Sequence, residues 1–357
     1  MTRIRLDEHH AEAAVLGGAV LGGGGGGSIQ DGLERAKLAV RFGSPVLVSH
    51  DELNENDLVL TASVVGAPAA AEKYLRPVDH LKAMNLLLEK RPFRLSGIIA
   101  NENGAGSAVN GWLQAAVSGV PVIDAPANGR AHPTGLMGAM GLHRVKDYHS
   151  IQAAAGGNPE AGRYLEVVVD GGLRQAANLV RHASIQAGGS VAVARDPVTA
   201  KYLEKHAAPG ATSQAIRVGE AILHSRNQGP QAMIKAVVTV LGGEIAIQGE
   251  VASIRLETVG GYDVGFVTVK GNRKGEITFW NEFMTLETDG KRIATFPDLI
   301  SLLSPEDGIP VSSAEVKKGQ RVDVLIVPRA HLILGEGVLL PETLEEAEKA
   351  VGKSLLP

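Results

Sequence analysis

The densest set of reactive side chains lies in VIDAPANGRAHPTGLMGAMGLH, residues 122 to 143. Within nine residues Asp124, Asn128, Arg130 and His132 place a carboxylate, an amide, a guanidinium and an imidazole on one loop that follows a strand. Pro126, Gly129 and Pro133 restrict that loop. Such a loop can aim an acceptor, fixed donors and a proton carrier at one point, which is what hydrolysis of a polar bond needs. The competing reading is an Asp124 to Arg130 salt bridge that braces the turn.

A second candidate is Glu102. The apolar strand FRLSGIIA ends abruptly in Asn101, Glu102, Asn103 and Gly104, which are turn and cap residues, and Ser107 can N-cap the helix that follows. A carboxyl just past a buried strand is a plausible acid or base, because partial burial raises its pKa toward neutrality. In VVGAPAAAEKY a tight turn at Gly66, Ala67 and Pro68 precedes Glu72 and Lys73, at the strand end where open α/β sheets place ligands. An adjacent Glu and Lys are equally a common solvated pair. Farther on, Asn281, Glu282 and Asp298 can face a cleft between domains.

Six consecutive glycines, Gly22 to Gly27, need a physical reason. If ordered, the run costs about 3 to 6 kcal/mol relative to alanine. Close backbone approach to a ligand or to other main chain would offset that, and a flexible linker is the alternative. A Walker loop needs Lys then Ser or Thr after the glycines, and a dinucleotide fingerprint needs a strand before them. Neither condition holds, since the preceding segment is helical and Ser28-Ile29-Gln30 follows. The expected ligand-contact positions are Gly23, Gly24, Gly25 and Gly26, with the helix starting at Ile29 presenting N–H groups.

Metal spacing is absent from the sequence. His9 and His10 diverge on a helix, no HExxH occurs, and His132, His143 and His149 show no metalloenzyme pattern. No cofactor is expected, with room left for a divalent metal assembled from distant residues. No GxSxG occurs, and with no cysteine in the chain there is no thiolate nucleophile and no disulfide.

Several elements must position these groups. Helical patterns cover 6 to 21 and 29 to 41, so the glycine run joins helix to helix. Strand-like runs at 45–49, 57–65, 93–100 and 120–125 alternate with helices at 76–91 and 107–118, which gives an α/β domain. YLEVVVD, a helical LRQAANLVRHASIQA, a SVAVA strand and helices at 197–206, 211–226 and 230–240 follow. After Gly242, strand-like runs separated by Gly, Asn and Asp turns point to a smaller all-β domain. The expected division is an α/β domain over 1–240, with 163–240 able to group with either side, an all-β domain over 241–335 and a helical tail over 336–357.

The chain has 357 residues, 44% hydrophobic and 21% charged, with a net charge of −4 and no basic run, which disfavours nucleic acid and anionic membrane as partners. No apolar run approaches a membrane span, and Asp7 and Glu8 stand where a signal peptide would be basic. A cytoplasmic homo-oligomer acting on a small molecule is the expectation.

LGGGGGG, GAPAAAEK, the NENG turn, VPVIDAPANGRAHPTGLM, GYDVGFVTVKG, WNEFMTLE and PDLISLL occur in an order that resembles the S-methyl-thiohydantoin desulfurase-like proteins. The similarity runs from about residue 6 to 330. It implies an α/β N-terminal domain of layered topology, a C-terminal β domain, and chemistry on a five-membered cyclic amide with release of a thiol by hydrolysis. On that basis the expected function is a hydrolase adding water to a C=N carbon of an S-methyl-thiohydantoin or hydantoin-like ring. Asp124 or Glu102 would activate water, Arg130 and the glycine amides would hold a ring carbonyl or developing anion, and His132 would carry the proton. Glu72, Lys73, Asn101, Asn128 and Asn281 complete the expected binding set. The alternative is a non-catalytic small-molecule sensor, or a regulatory partner of a hydantoin-cleaving enzyme.

Overall fold

The computed structural model describes residues 3–355. Among these the strands form two eight-stranded sheets. The first contains β1 (Arg3–Arg5), β2 (Val46–Val48), β3 (Leu58–Gly66), β4 (Leu95–Ala100), β5 (Val122–Ile123), β6 (Ser150–Gly156), β7 (Leu165–Gly171) and β8 (Ser190–Thr199). Its order is β1-β2-β5-β4-β3-β8-β6-β7. The β2-β5-β4-β3 part is parallel, and β8, β6 and β7 continue it antiparallel.

Helices α1 (Glu8–Leu21), α2 (Ile29–Phe42), α3 (Pro77–Lys90), α4 (Trp112–Ser118) and α5 (Leu173–Gln186) accompany this sheet. Parallel strands need crossovers, and α3 and α4 supply them between β3 and β4 and between β4 and β5. As a result the loops after β3, β4 and β5 emerge at one sheet edge, together with the start of β8, where Ser190 pairs with Gly66. That edge carries the site.

The α1 sequence is apolar nearly all round, which fits burial on every side. It packs on α7 (Ala211–Ser225), which follows α6 (Ala200–His206) and precedes α8 (Pro230–Leu241). A Cβ on Gly17 would lie 1.8 Å from the Ala215 carbonyl oxygen, and one on Gly219 1.8 Å from that of Ala13, so this crossing is backbone on backbone.

The second sheet contains β9 (Glu244–Val259), β10 (Tyr262–Gly271), β11 (Lys274–Trp280), β12 (Glu282–Thr288), β13 (Lys291–Thr295), β14 (Leu299–Leu303), β15 (Pro310–Val311) and β16 (Arg321–Val327). All its pairings are antiparallel, in the order β13-β12-β11-β10-β9-β16-β14-β15. The sheet curls around Val267, Phe279, Phe283, Ile300 and Val324, bringing β12 near β14. The tail helix α9 (Pro341–Val351) buries Leu344 and Ala347 against Trp280 and Met284.

Three local expectations are corrected. The sequence reading places no strand at 150–156, yet β6 runs there with every residue buried between β8 and β7. Its alanines prefer helix in isolation, and pairing on both edges overrides that preference. The helix expected over 107–118 is broken, because Gly111 takes φ +91° between a short turn at Ser107–Val109 and α4. The helix expected from 197 starts at Ala200, since β8 continues to Thr199, whose hydroxyl caps it by accepting from Tyr202 N at 3.2 Å.

Candidate functional site

A cleft of about 620 Å³ opens at the loop edge of the first sheet and is closed on one side by the β11–β12 turn of the second. Its polar floor brings together Glu102, Ser107, His132, Arg195, Asn281 and Glu282. All of them are buried.

Glu102 follows β4 directly. Its Oε1 accepts from the Ser107 hydroxyl at 2.8 Å, and its Oε2 accepts from the His132 backbone N–H at 3.1 Å. His132 Nε2 stands 3.2 Å from the same Oε2. The two loops are sewn together by Asn103, whose side-chain amide donates to Gly129 O at 3.2 Å and to Ala211 O at 2.7 Å. Burial pushes the His132 imidazole below its ordinary value, with the Glu102 charge opposing and the Arg195 charge adding to the shift. His132 is therefore neutral at pH 7 and able to accept a proton.

Glu282 comes from the other sheet. Asn281 takes a left-handed φ of +55°, which asparagine tolerates, and its Oδ1 accepts from Asp263 N at 2.9 Å. That turn delivers Glu282, 2% exposed, beside Glu102. Burial first, then the Glu102 charge, holds the Glu282 carboxyl well above the ordinary carboxylate range, while Arg130 opposes. The cleft thus faces an imidazole whose pKa is pushed down and a carboxyl whose pKa is pushed up, from different sheets. Pairs whose surroundings push their pKa values apart are how general acid and base are assigned.

The glycine run lies between the sheets. Gly23 O accepts from Phe283 N at 2.7 Å and Gly24 O from Ser313 N at 2.9 Å, whereas Gly26 O accepts from Gly106 N at 2.8 Å and Ser107 N at 3.0 Å. A Cβ on Gly24 would meet the Phe283 ring at 2.7 Å, and one on Gly26 would meet Gly104 Cα at 2.4 Å. Gly26 and Gly27 line the cleft, as do Lys73 and Asn101. Gly23, Gly24 and Gly25 do not line it and are packed against the second sheet.

Other expected site residues lie elsewhere. Asp124 is turned to α7, where its Oδ1 accepts from Ser213 N at 3.1 Å and its Oδ2 from the Ser213 hydroxyl at 2.5 Å. That is a helix-start contact away from the cleft lining. Asn128 braces main chain, donating to Arg130 O at 2.7 Å and accepting from Gly335 N at 3.1 Å. Arg130 is fully buried behind the cleft, donating to Asp298 O at 2.6 Å and Pro297 O at 3.2 Å over the Phe296 ring. Burial pushes its guanidinium down to about 10. Glu72 is exposed and paired with Arg163 at 2.7 Å, and Asp298 pairs with Arg329 at 3.0 Å.

Sequence reasoning passed over Arg35, His80, Arg181 and Arg195, all of which line the cleft. Each sits inside a regular helix or strand, where nothing in the local pattern distinguishes it from a solvated residue. Arg181 ties the two sheets together, donating to Gly66 O and Gly261 O at 2.9 Å and to Pro133 O at 3.0 Å, over the Tyr262 ring. Among the described residues no cluster of three or more His, Asp or Glu side chains could hold a metal ion, and no helix is long and apolar enough to cross a membrane.

Two family models match the chain: the S-Me-THD-like N-terminal domain over residues 9–160 and the S-Me-THD-like C-terminal domain over 173–337. The chain belongs to the S-Me-THD-like family. In this family member the second match begins before β8, a central strand of the first sheet, so the two matched segments interlock in space. The S-Me-THD-like chain is also similar in fold to a protein from Chromobacterium violaceum solved by X-ray crystallography. Identity is 21%, over 100% of this chain and 99% of that one, with a TM-score of 0.69. No curated protein matches the chain.

Proposed function

We propose that the cleft hydrolyses a small five-membered cyclic amide or amidine of the S-methyl-thiohydantoin type, replacing its S-methyl group by oxygen. The family name points to this substrate class, and the observation that carries the chemistry is the His132–Glu102 contact at 3.2 Å beside the buried Glu282 carboxyl, which burial and the Glu102 charge push well above the ordinary carboxylate range. Neutral His132 takes a proton from water as the water oxygen bonds to the C=N carbon, and Glu102 stabilises the imidazolium. Glu282 gives its proton to the ring nitrogen. As the carbon–sulfur bond breaks, the new hydroxyl returns a proton to Glu282 and becomes the carbonyl, and imidazolium protonates the departing thiolate. One water is consumed and one methanethiol leaves.

In this reading Arg130 and Gly25 position Glu282 and do not touch the ring, whereas Gly26 and Gly27 line the cleft. Release of thiol from an S-methyl-thiohydantoin, followed with a thiol reagent, tests it. The protein contributes no background because it has no cysteine. Thiol release by the wild type that disappears in Glu102→Gln supports the proposal. Binding of the ring with no thiol formed would leave a sensor.

A further inference from the structure

His80 has no role in the steps above, yet its surroundings fix what it can do. It lines the cleft from the first turns of α3 while only 3% exposed. The helix starts there because Pro77 stands at its first position and Asp79 closes the turn, its Oδ2 accepting from Arg76 N at 2.8 Å.

Arg35 decides the tautomer. Its Nη1 lies 3.1 Å from His80 Nε2, and its Nη2 donates to Gly106 O at 2.8 Å. A guanidinium only donates, so Nε2 accepts and the hydrogen of the neutral imidazole sits on Nδ1. Burial brings the Arg35 value down to about 10, with the Asp31 charge opposing, so the group is still a cation at neutral pH. Burial first, then the Arg35 charge, holds the His80 imidazole well below its ordinary 6.5, and the N-terminal end of α3 disfavours imidazolium too. His80 is thus a neutral donor. Among the described residues no protein acceptor takes its Nδ1 hydrogen, and a buried donor left unpaired is costly.

The pair adjoins the reacting groups. Gly106 precedes Ser107, whose hydroxyl donates to Glu102 at 2.8 Å. Leu38, one turn along α2 from Arg35, and Leu75 and Pro77, just before His80, also line the cleft and give this end apolar walls, where a hydrogen bond is stronger than in water. Asp31 and Glu34 line it as well and repel an anion, while the Lys73 ammonium is held on Pro68 O at 2.7 Å. A neutral oxygen acceptor fits this end.

We infer that His80, held as its Nδ1–H tautomer by Arg35, donates to a carbonyl oxygen of the substrate ring, the carbonyl that the reaction leaves unchanged. With the ring nitrogen taken by Glu282, this second contact selects one orientation of a flat ring. His80 touches the ring, and Arg35 is a positioning residue that acts through it. This inference rests on the proposed substrate class.

Long-range proton–nitrogen NMR on the full chain reads the tautomer. The wild type and Arg35→Lys should show His80 protonated at Nδ1, and Arg35→Met should show Nε2–H as well. Calorimetric titration with hydantoin and with ethyleneurea, the same ring lacking the second carbonyl, reads the contact. The wild type should bind hydantoin about tenfold more tightly, the effect of one well-made hydrogen bond. Folded His80→Phe should bind both alike, and His80→Asn, whose amide nitrogen sits where Nδ1 does, should keep part of the preference. Equal binding of the two rings by the wild type, no binding of either, Nε2–H in the wild type, an unchanged tautomer in folded Arg35→Met, or a preference retained in folded His80→Phe would each overturn the inference. The two wild-type measurements decide even if no variant folds. Thiol assays separate this from the hydrolase reading. Thiol release with equal binding of both rings removes the His80 contact and keeps the hydrolase. Hydantoin-selective binding with no thiol from an S-methyl-thiohydantoin removes the hydrolase and keeps the contact.

Discussion

A Cβ on Gly25 would lie 1.9 Å from Glu282 Oε1, so the absence of a side chain at Gly25 is what allows the carboxyl to occupy its place. Gly25 itself has no left-handed φ, and the three atoms nearest to such a Cβ all belong to the Glu282 side chain. Gly25→Ala should cost about 1 to 3 kcal/mol through overpacking and lower thiol release at least tenfold. Adding Glu282→Ala should restore part of the stability without restoring thiol release. Thermal melts and thiol assays on the single and double variants check this, and a Gly25→Ala protein with wild-type activity would remove the contact from the mechanism.

Glu102 and Asp124 are both carboxylates just past strands of one sheet, and they should respond oppositely. Glu102→Gln and His132→Ala should each lower kcat by about 10²- to 10⁴-fold, the range for loss of general acid–base assistance, with little change in melting temperature. Asp124→Asn should weaken the start of α7 by about 0.5 to 2 kcal/mol while activity of the folded protein persists. The reverse pattern would return the catalytic role to the Asp124 loop.

The pH profile follows from two opposed shifts. His132 must be neutral to accept a proton, and its value lies below the ordinary 6.5, so kcat/KM should rise with pH through a value under 6.5. Glu282 must be protonated to donate, and its value lies well above the ordinary 4.5, so activity should fall again only at higher pH. Glu282→Gln should flatten the alkaline limb as it lowers the maximum. A rate that climbs without a descending limb would exclude Glu282 as the acid.

Stability should carry the same signature. Above 4.5 the unfolded Glu282 loses its proton while the folded one keeps it, so folding is weakened progressively as pH rises toward the raised folded value. His132 has the opposite sign: its depressed folded value makes folding less favourable as pH falls below 6.5. Urea unfolding of the wild type and Glu282→Gln across this range should show the variant gaining relative stability as pH increases. A constant difference would mean that Glu282 titrates alike in both states.

Much of this architecture is legible in the chain. The helix-to-helix setting of the glycine run, the strands that end in NENG and in DAPANGRAHP, and the change to antiparallel strands after Gly242 are local patterns of period and punctuation. Glu102 and His132 could be singled out because turn residues after apolar strands announce a loop at a sheet edge. The sequence motifs were likewise enough to suggest the family. Their limit appears at Asp124, where the same local signal leads to a helix-start contact, and at β6, where buried alanines pair as strand.

Only the tertiary structure decided which of these groups meet. Glu282 reaches Glu102 through packing of the second sheet on the first, and Arg195 reaches His132 through a bulge in a strand that reads as plain β-structure. Such contacts join residues far apart in the chain, so their energy depends on burial and neighbouring charge, which no local pattern encodes. The sequence by itself determined most of the elements and turns, and the lack of a cysteine thiolate. The fold determined the directions in which the His132 and Glu282 pKa values shift, and the partners of the glycine run, because both are properties of surfaces brought together.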